Sequence, residues 1–263
     1  MTLRVLTWNL YHGRADPPAG RPLFDEFAAM LAGWSWDVAL LQEVPPWWPP
    51  QLARATDAAE RHVHAVGVRT GDDSIVEELA AHASIPVFNM LTARHHPCQA
   101  LADLLTLRET FGTLEGVRLA YVGDGNNVAR SLAVLGAIAG VDVVVAAPDG
   151  YQLEPEAGAT LTDDPVAAVQ GANAVYADVW VSMGDEATAD ERRAALAPYR
   201  LDDALLDRAA PDAIALHCLP AHPGEEITAE VLYGPRSAVW QQAANRLPTE
   251  QAVLHALVTG WEG

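Results

Sequence analysis

The sequence predicts an α/β protein whose parallel sheets carry helices on both faces. Three observations predict it. From Val63 onward, apolar runs of strand length alternate with longer amphipathic stretches, the pattern of strand–helix–strand units rather than of hairpins. Glycine and proline punctuate the chain between these runs. Four polar clusters, His96-Pro97-Cys98-Gln99, Gly123-Asp124-Gly125-Asn126-Asn127, Asp178-Val179-Trp180-Val181-Ser182-Met183 and His217-Cys218-Leu219-Pro220, each close an apolar run or open the helix after it. Open parallel sheets bind their ligands at that end.

The elements follow in order. Residues 3–10 read as a strand, with Pro17, Pro18 and Gly20 marking the loop behind it. Residues 22–33 read as a helix with Pro22 in its first turn, and 37–44 as a second strand. The run Pro45-Pro46-Trp47-Trp48-Pro49-Pro50 suits neither a helix nor a central strand, so it marks a domain edge. Strands are then predicted at 63–68, 86–90, 117–122, 141–147, 174–181 and 212–218. Helices are predicted at 73–83, 97–111, 126–139, 163–171 and 189–207, the last broken by Pro198. A final helix is expected from Pro248 to about Thr259.

Composition narrows the function classes. The formal charge is −19, which repels nucleic acid and anionic membranes in the absence of a basic patch, and Arg192-Arg193 is the only adjacent basic pair. Neither nucleic acid nor a membrane is therefore an expected partner. All 16 basic side chains of the Lys+Arg set are arginine. Schiff-base chemistry and a phosphate-binding lysine are excluded, and anions must be held by Arg forks, backbone N–H groups and helix N-termini. No apolar run is long enough to span a bilayer, and the N-terminus reads as a strand rather than a signal peptide, so a cytoplasmic location is expected. Cys98 and Cys218 are far apart and both lie inside polar clusters. They read as site residues or, for Cys98, as a buried inert thiol.

Each cluster has its own chemistry. The Gly123–Asn127 turn follows a strand and opens a helix, a place suited to a small anion. Val128 stands where the dinucleotide fingerprint has its third glycine, so a carboxylate suits the turn better than NAD. Asp178 at a strand end suits an ammonium group, with Ser182 nearby, or alternatively a helix cap. His217, Cys218 and His222 offer zinc ligands but lack Cys-x-x-Cys spacing. No metal or other cofactor is expected.

Taken together, these clusters, the Ala-Leu-Ala-Asp-Leu-Leu-Thr-Leu-Arg run after Gln99, and Asn245-Arg246 resemble the ornithine carbamoyltransferases over residues 62–263. The resemblance implies a Rossmann-like amino-acid-binding domain beside a carbamoyl-phosphate-type domain. It implies L-ornithine and carbamoyl phosphate as partners, citrulline and phosphate as products, and leaves a homo-oligomer open. By the same resemblance, Asn127, Asp178, Ser182 and Met183 hold the amino-acid end of ornithine. Cys218 and Leu219 sit at the δ-amine and carbamoyl group, and Arg69, His96, Gln99 and Arg246 contact carbamoyl phosphate. Cys218, Asp178 and Arg246 are then the catalytic set. The chemistry needs two aligned substrates and donors for the developing negative charge, with no covalent intermediate.

The first 56 residues read differently. Thr7-Trp8-Asn9-Leu10-Tyr11-His12-Gly13-Arg14 and Leu41-Gln42-Glu43-Val44 are similar to the opening of the endonuclease/exonuclease/phosphatase family, in which Asn9 and Glu43 would help hold Mg²⁺. The expected division is thus an N-terminal fragment over 1–56, a truncated carbamoyl-phosphate-binding domain over 57–112, an ornithine-binding domain over 113–244 and a C-terminal helix over 245–263 returning to the first domain. The transferase family's phosphate-binding Ser-Thr-Arg-Thr-Arg run is absent, so impaired carbamoyl transfer is expected. The alternatives are a non-catalytic fusion or truncation product that keeps amino-acid binding and, more distantly, a Mg²⁺-dependent phosphodiesterase.

Overall fold

The computed structural model describes residues 5–9, 23–34, 38–42, 65–155, 158–182 and 186–260. It divides into two compact units, Met1–His64 and Ala65–Gly263. In the first unit, strands β1 (Val5–Asn9) and β2 (Val38–Gln42) pair in parallel, from Val5 against Val38 to Asn9 against Gln42. Helix α1 (Phe24–Gly33) lies between them in sequence and buries Ala28 and Leu31. This is the strand–helix–strand order that the sequence predicts.

The second unit begins with a two-stranded parallel sheet. β3 (Val66–Arg69) pairs with β4 (Val87–Leu91), and α2 (Asp73–His82) connects them. Asp72 caps α2 by accepting from the Ser74 N–H at 2.9 Å. Next comes α3 (Pro97–Phe111), which starts with proline at N1 and stops at Gly112, whose φ of 76° lies in the left-handed region that favours glycine.

A five-stranded parallel sheet forms the rest of the unit, in the order β7-β6-β5-β8-β9. These strands are β5 (Arg118–Val122), β6 (Asp142–Ala146), β7 (Thr160–Thr162), β8 (Ala174–Ala177) and β9 (Ile214–His217). The chain builds β5, β6 and β7 outward in one direction, then returns to place β8 and β9 on the other side of β5. The strand order therefore reverses between β5 and β8, and the crevice at their carboxyl ends is the expected ligand position. Helices α4 (Asn127–Ala139), α5 (Pro165–Val169), α6 (Ala189–Leu196), α7 (Asp203–Leu206), α8 (Ala229–Leu232) and α9 (Val239–Thr259) complete it.

Strand residues alternate between two cores. Leu119, Tyr121, Val143, Val145 and Tyr176 face Ala100, Leu107 and Leu132 of α3 and α4. Ala120, Val122, Val144, Val175 and Ala215 face Val169, Leu206, Ile227 and Leu232. Period-2 burial on both faces explains why these strands read as continuous apolar runs. None of the described helices is long and apolar enough to cross a membrane.

Two elements differ from expectation. β7 is three residues long at the sheet edge, too short to leave a periodic signal. Helix α9 starts at Val239, nine residues before Pro248, and runs through that proline. Pro248 has no N–H for the Ala244 carbonyl, a cost to the helix interior. Packing offsets it: Gln242 and Asn245 on this turn are buried and bonded to α3.

Candidate functional site

The site grows from a pair of tyrosines. Tyr121 and Tyr176 occupy matched positions on the neighbouring strands β5 and β8. Both are fully buried, and their rings stack at 5.5 Å, worth about 0.5–1.5 kcal/mol beyond burial. Tyr121 donates to Asn126 Oδ1 at 3.1 Å. Tyr176 accepts from Gln242 Nε2 at 3.0 Å. The cross-strand pair thus points one hydroxyl at the β5–α4 turn and the other at α9.

Asn126 is the centre of that turn. Its Oδ1 also caps α4, accepting from Val128 N–H at 2.9 Å and Ala129 N–H at 3.2 Å. With the oxygen committed, Nδ2 is left to donate to Asp178 Oδ2 at 2.7 Å. Gly125 lets the turn pass close to the next loop, because a Cβ there would lie 2.6 Å from Tyr151 O and 2.7 Å from Leu153 N. Asp178 follows β8 and is 5% exposed. Its Oδ1 accepts from the Val179 N–H and from the Cys218 thiol, each at 2.8 Å. Burial first, then the neighbouring Asp178 carboxylate, pushes the Cys218 thiol well above its ordinary range. Cys218 is therefore a neutral donor rather than a thiolate nucleophile.

The β9 end is held from behind. His217 Nε2 faces Glu226 Oε1 at 3.2 Å, and its Nδ1 accepts from the Leu219 N–H at 2.9 Å. The His217 N–H donates to Gln242 Oε1 at 2.9 Å. Leu219 has φ of 58°, a left-handed conformation that costs a leucine about 1–3 kcal/mol, and the His217 ring holds it there. Glu226 is fully buried. Burial raises its pKa, but hydrogen bonds from His217 and the His222 N–H outweigh that and leave it lowered. Asp178, His217 and Cys218 bring one ligand atom each within 4.8 Å of one another. A metal there would have to displace the Cys218–Asp178 bond and one of the two bonds at the His217 ring, to Leu219 or to Glu226, so the trio fits internal hydrogen bonding better than an ion; His222 pairs with Glu226 at 3.7 Å instead.

The second end lies along α3. His96 is the N-cap residue of α3, and its N–H donates to Ser131 Oγ at 2.7 Å. Burial, then Arg246 and Arg69, lower its pKa to about 3, so the imidazole is neutral. His96 Nδ1 has no hydrogen-bond partner among the described residues. Gln99 donates to Asp103 Oδ1 at 2.8 Å and accepts from Arg246 Nη1 at 2.8 Å. Arg246 also pairs with Glu250 through Nε at 3.1 Å and through Nη2. Burial pushes Cys98 up to about 11, the behaviour of an inert core thiol.

Asp178, Cys218 and Leu219 thus gather at the sheet's carboxyl ends, and His96, Gln99 and Arg246 gather at the start of α3. Arg69 is exposed at the end of β3 and makes itself felt at His96 through its charge. Ser182 is partly buried in the loop after β8. Asn127 Nδ2 donates to Thr92 O at 2.7 Å, while the neighbouring Asn126 makes the contact to Asp178. The order of two adjacent asparagines carries no signal of which one the helix turn directs into the crevice. Asp103, Tyr176, Gln242 and Glu250 were invisible as site residues in sequence because their roles depend on partners 4 to 139 positions away. Met183 and Glu43 lie outside the described residues, and Asn9 is described only as a backbone position paired with Gln42.

Residues 115–257 match the family model described as aspartate/ornithine carbamoyltransferase, Asp/Orn binding domain. Residues 51–109 match its carbamoyl-P binding domain. The chain is 50% identical over 227 residues to an ornithine carbamoyltransferase of Bacillus subtilis, covering 79% of this chain and 71% of that protein. It is 53% identical over 211 residues to one from Acidothermus cellulolyticus, covering 75% and 68%. The solved ornithine carbamoyltransferase of Pyrococcus furiosus aligns with a TM-score of 0.76 at 38% identity, covering 99% of this chain and 86% of that one. That of Thermus thermophilus aligns with a TM-score of 0.73 at 37% identity, covering 97% and 86%.

These matches correct the reading of residues 1–56. One family accounts for both domains, and nothing supports a fusion to an endonuclease/exonuclease/phosphatase fragment, a truncation or a phosphodiesterase. The similarity rested on polar residues at two strand ends. β1 and β2 form an ordinary parallel pair, and strand ends of that kind recur in unrelated α/β folds.

Proposed function

Because the chain belongs to the aspartate/ornithine carbamoyltransferase family, we propose that it transfers the carbamoyl group of carbamoyl phosphate to the δ-amine of L-ornithine. The observation that carries this reading is the Asn126–Asp178–Cys218 chain across the ends of β5, β8 and β9. It presents one buried carboxylate to a cationic amino acid and a neutral thiol beside it. By the family resemblance, Asn127, Asp178, Ser182 and Met183 hold the amino-acid end. Cys218 and the left-handed Leu219 border the δ-amine. His96, Gln99, Arg246 and Arg69 receive carbamoyl phosphate.

The uncharged δ-amine attacks the carbamoyl carbon. The new C–N bond forms, the C–O bond to phosphate breaks, and the amine proton leaves with phosphate or solvent. Neutral His96 donates to the carbonyl oxygen as it gains charge, which needs no proton uptake at neutral pH. Arg246 is already paired with Glu250, so the phosphate must compete for its guanidinium. The test is citrulline formation by the purified chain from carbamoyl phosphate and L-ornithine, with L-aspartate as the control acceptor. Citrulline with ornithine and no product with aspartate is the expected result, and no product with either rejects the reading.

One observation favours a second reading. The sequence has no Ser-Thr-Arg-Thr-Arg run, and each lost charge-assisted contact to an anion weakens binding by about 1.5–3 kcal/mol. In this reading the chain binds the amino acid and turns over poorly or not at all. Calorimetry separates the two: ornithine binding with no measurable carbamoyl phosphate binding favours the second.

A further inference from the structure

The Asp178 and His96 clusters are linked by a polar seam where α3 packs on α9. Gln99 meets Arg246, Asp103 meets Gln242, and Thr106 and Glu109 meet Asn245. Two packed helices would ordinarily fill such a seam with apolar side chains. Asp103 is the costly member. It is fully buried, and among the described residues no cation lies within hydrogen-bond distance of it. A carboxylate in that setting is expensive for the fold, and none of the chemistry above uses it.

Its connections point elsewhere. A single oxygen, Asp103 Oδ1, accepts from Gln99 Nε2 at 2.8 Å and from Gln242 Nε2 at 2.7 Å. Each glutamine amide is thereby oriented. Gln99 must turn Oε1 to Arg246, at the carbamoyl phosphate end. Gln242 must turn Oε1 to the His217 N–H, immediately before Cys218 and Leu219. Tyr176 sits on the same route, accepting from Gln242 and lying near the Cys218 thiol. If Asp103 no longer accepted, Gln99 would be held only through Oε1 by Arg246, and Gln242 only by the His217 N–H and Tyr176; each amide would lose the bond that ties it to the other.

We propose that Asp103 is a positioning residue that sets both clusters at once, orienting Gln99 and Arg246 through one amide and the His217–Cys218–Leu219 corner through the other. This rests on the carbamoyl-transfer reading for its kinetic consequences, though not for its structural ones.

The experiment compares Asp103→Leu, Asp103→Asn and Gln242→Leu with wild type, in kinetics and in alkylation of each cysteine by iodoacetamide followed by peptide mass spectrometry. Cys98 is on the same helix as Asp103, and Cys218 is across the seam, which makes the pair diagnostic. In Asp103→Leu the KM for both substrates rises at least about tenfold, and Cys218 alkylation speeds up about fivefold or more with Cys98 within about twofold, the mark of a coupled network. Asp103→Asn keeps an acceptor at Oδ1 and returns both readouts toward wild type. Gln242→Leu reproduces the Cys218 effect alone, and it decides the matter if Asp103→Leu does not fold. The proposal is overturned if Cys98 and Cys218 speed up together, or if neither changes and both KM values stay within about twofold of wild type. Should wild type make no citrulline, the carbamoyl-transfer reading fails, and the alkylation pattern still decides the role of Asp103.

Discussion

Around Asp178, side chains converge on one carboxylate; around His96, two buried polar atoms, one on His96 itself, have no hydrogen-bond partner among the described residues. At the first end, Asn126, Cys218 and the Val179 N–H all converge on one carboxylate, and the buried atoms left without a hydrogen bond among the described residues, Trp180 Nε1 and Glu226 Oε2, lie beside that carboxylate's network rather than on it. At the second end, His96 Nδ1 and Asn89 Oδ1 are buried and unmatched. A ligand entering the first end must exchange hydrogen bonds, which is nearly neutral, so its affinity has to come from charge. A ligand entering the second end supplies bonds that the fold lacks. The amino-acid end is thus built for selectivity by charge, and the other for gain on binding.

The largest test of this contrast is Asp178→Asn. It keeps the shape and removes the charge, and it leaves the Cys218 and Asn126 donors competing for one acceptor. Citrulline formation is expected to fall by at least about 100-fold, in line with losing two charge-assisted bonds. Ornithine binding by calorimetry should disappear while carbamoyl phosphate binding is kept. Equal loss of both would mean that the two ends are not distinct.

Arg246→Gln comes next. It removes the cation nearest Gln99. The KM for carbamoyl phosphate should rise by about 10- to 100-fold with ornithine affinity held, the fold-change that 1.5–3 kcal/mol implies.

Stability against pH addresses the His96 end. The His96 pKa falls from 6.5 to about 3 on folding, so between those values the unfolded chain holds the extra proton. This contribution is present in full above pH 6.5 and is lost as the pH falls toward 3, by up to about 1.4 kcal/mol per unit. The thermal midpoint of wild type should therefore drop more steeply from pH 6 to pH 4 than that of His96→Asn. Parallel curves would show that His96 is not held neutral by its surroundings.

The smallest effect belongs to Glu250→Gln. Freeing Arg246 from its ion pair should lower the KM for carbamoyl phosphate by about two- to fivefold, because partly exposed pairs are worth little. An increase would mean that Glu250 orients Arg246 rather than competing with the substrate.

Residues 97–111, 126–139 and the strands around them were readable because local signals agreed with the final packing: Pro97 and Asn126 start helices, Gly112 ends one, and the strands are apolar on both faces. The motifs at Asp178 and His217-Cys218 were readable because strand ends in parallel sheets are ligand positions. Residues 1–56 misled because two polar strand ends resemble many folds. Helix α9 was read too short because Pro248 is a local stop signal that packing against α3 overrides.

From its amino acids alone, this chain specifies a parallel α/β architecture and the strand ends where its chemistry gathers, since period-2 burial, caps and turn residues act over a few positions. The tertiary structure alone decides that Asn126 rather than Asn127 faces Asp178, that Cys218 is a donor to that carboxylate, and that Asp103 joins two glutamines across 139 positions of sequence. Hydrogen bonds between side chains far apart in the chain depend on how helices and strands are stacked, and no local pattern records that.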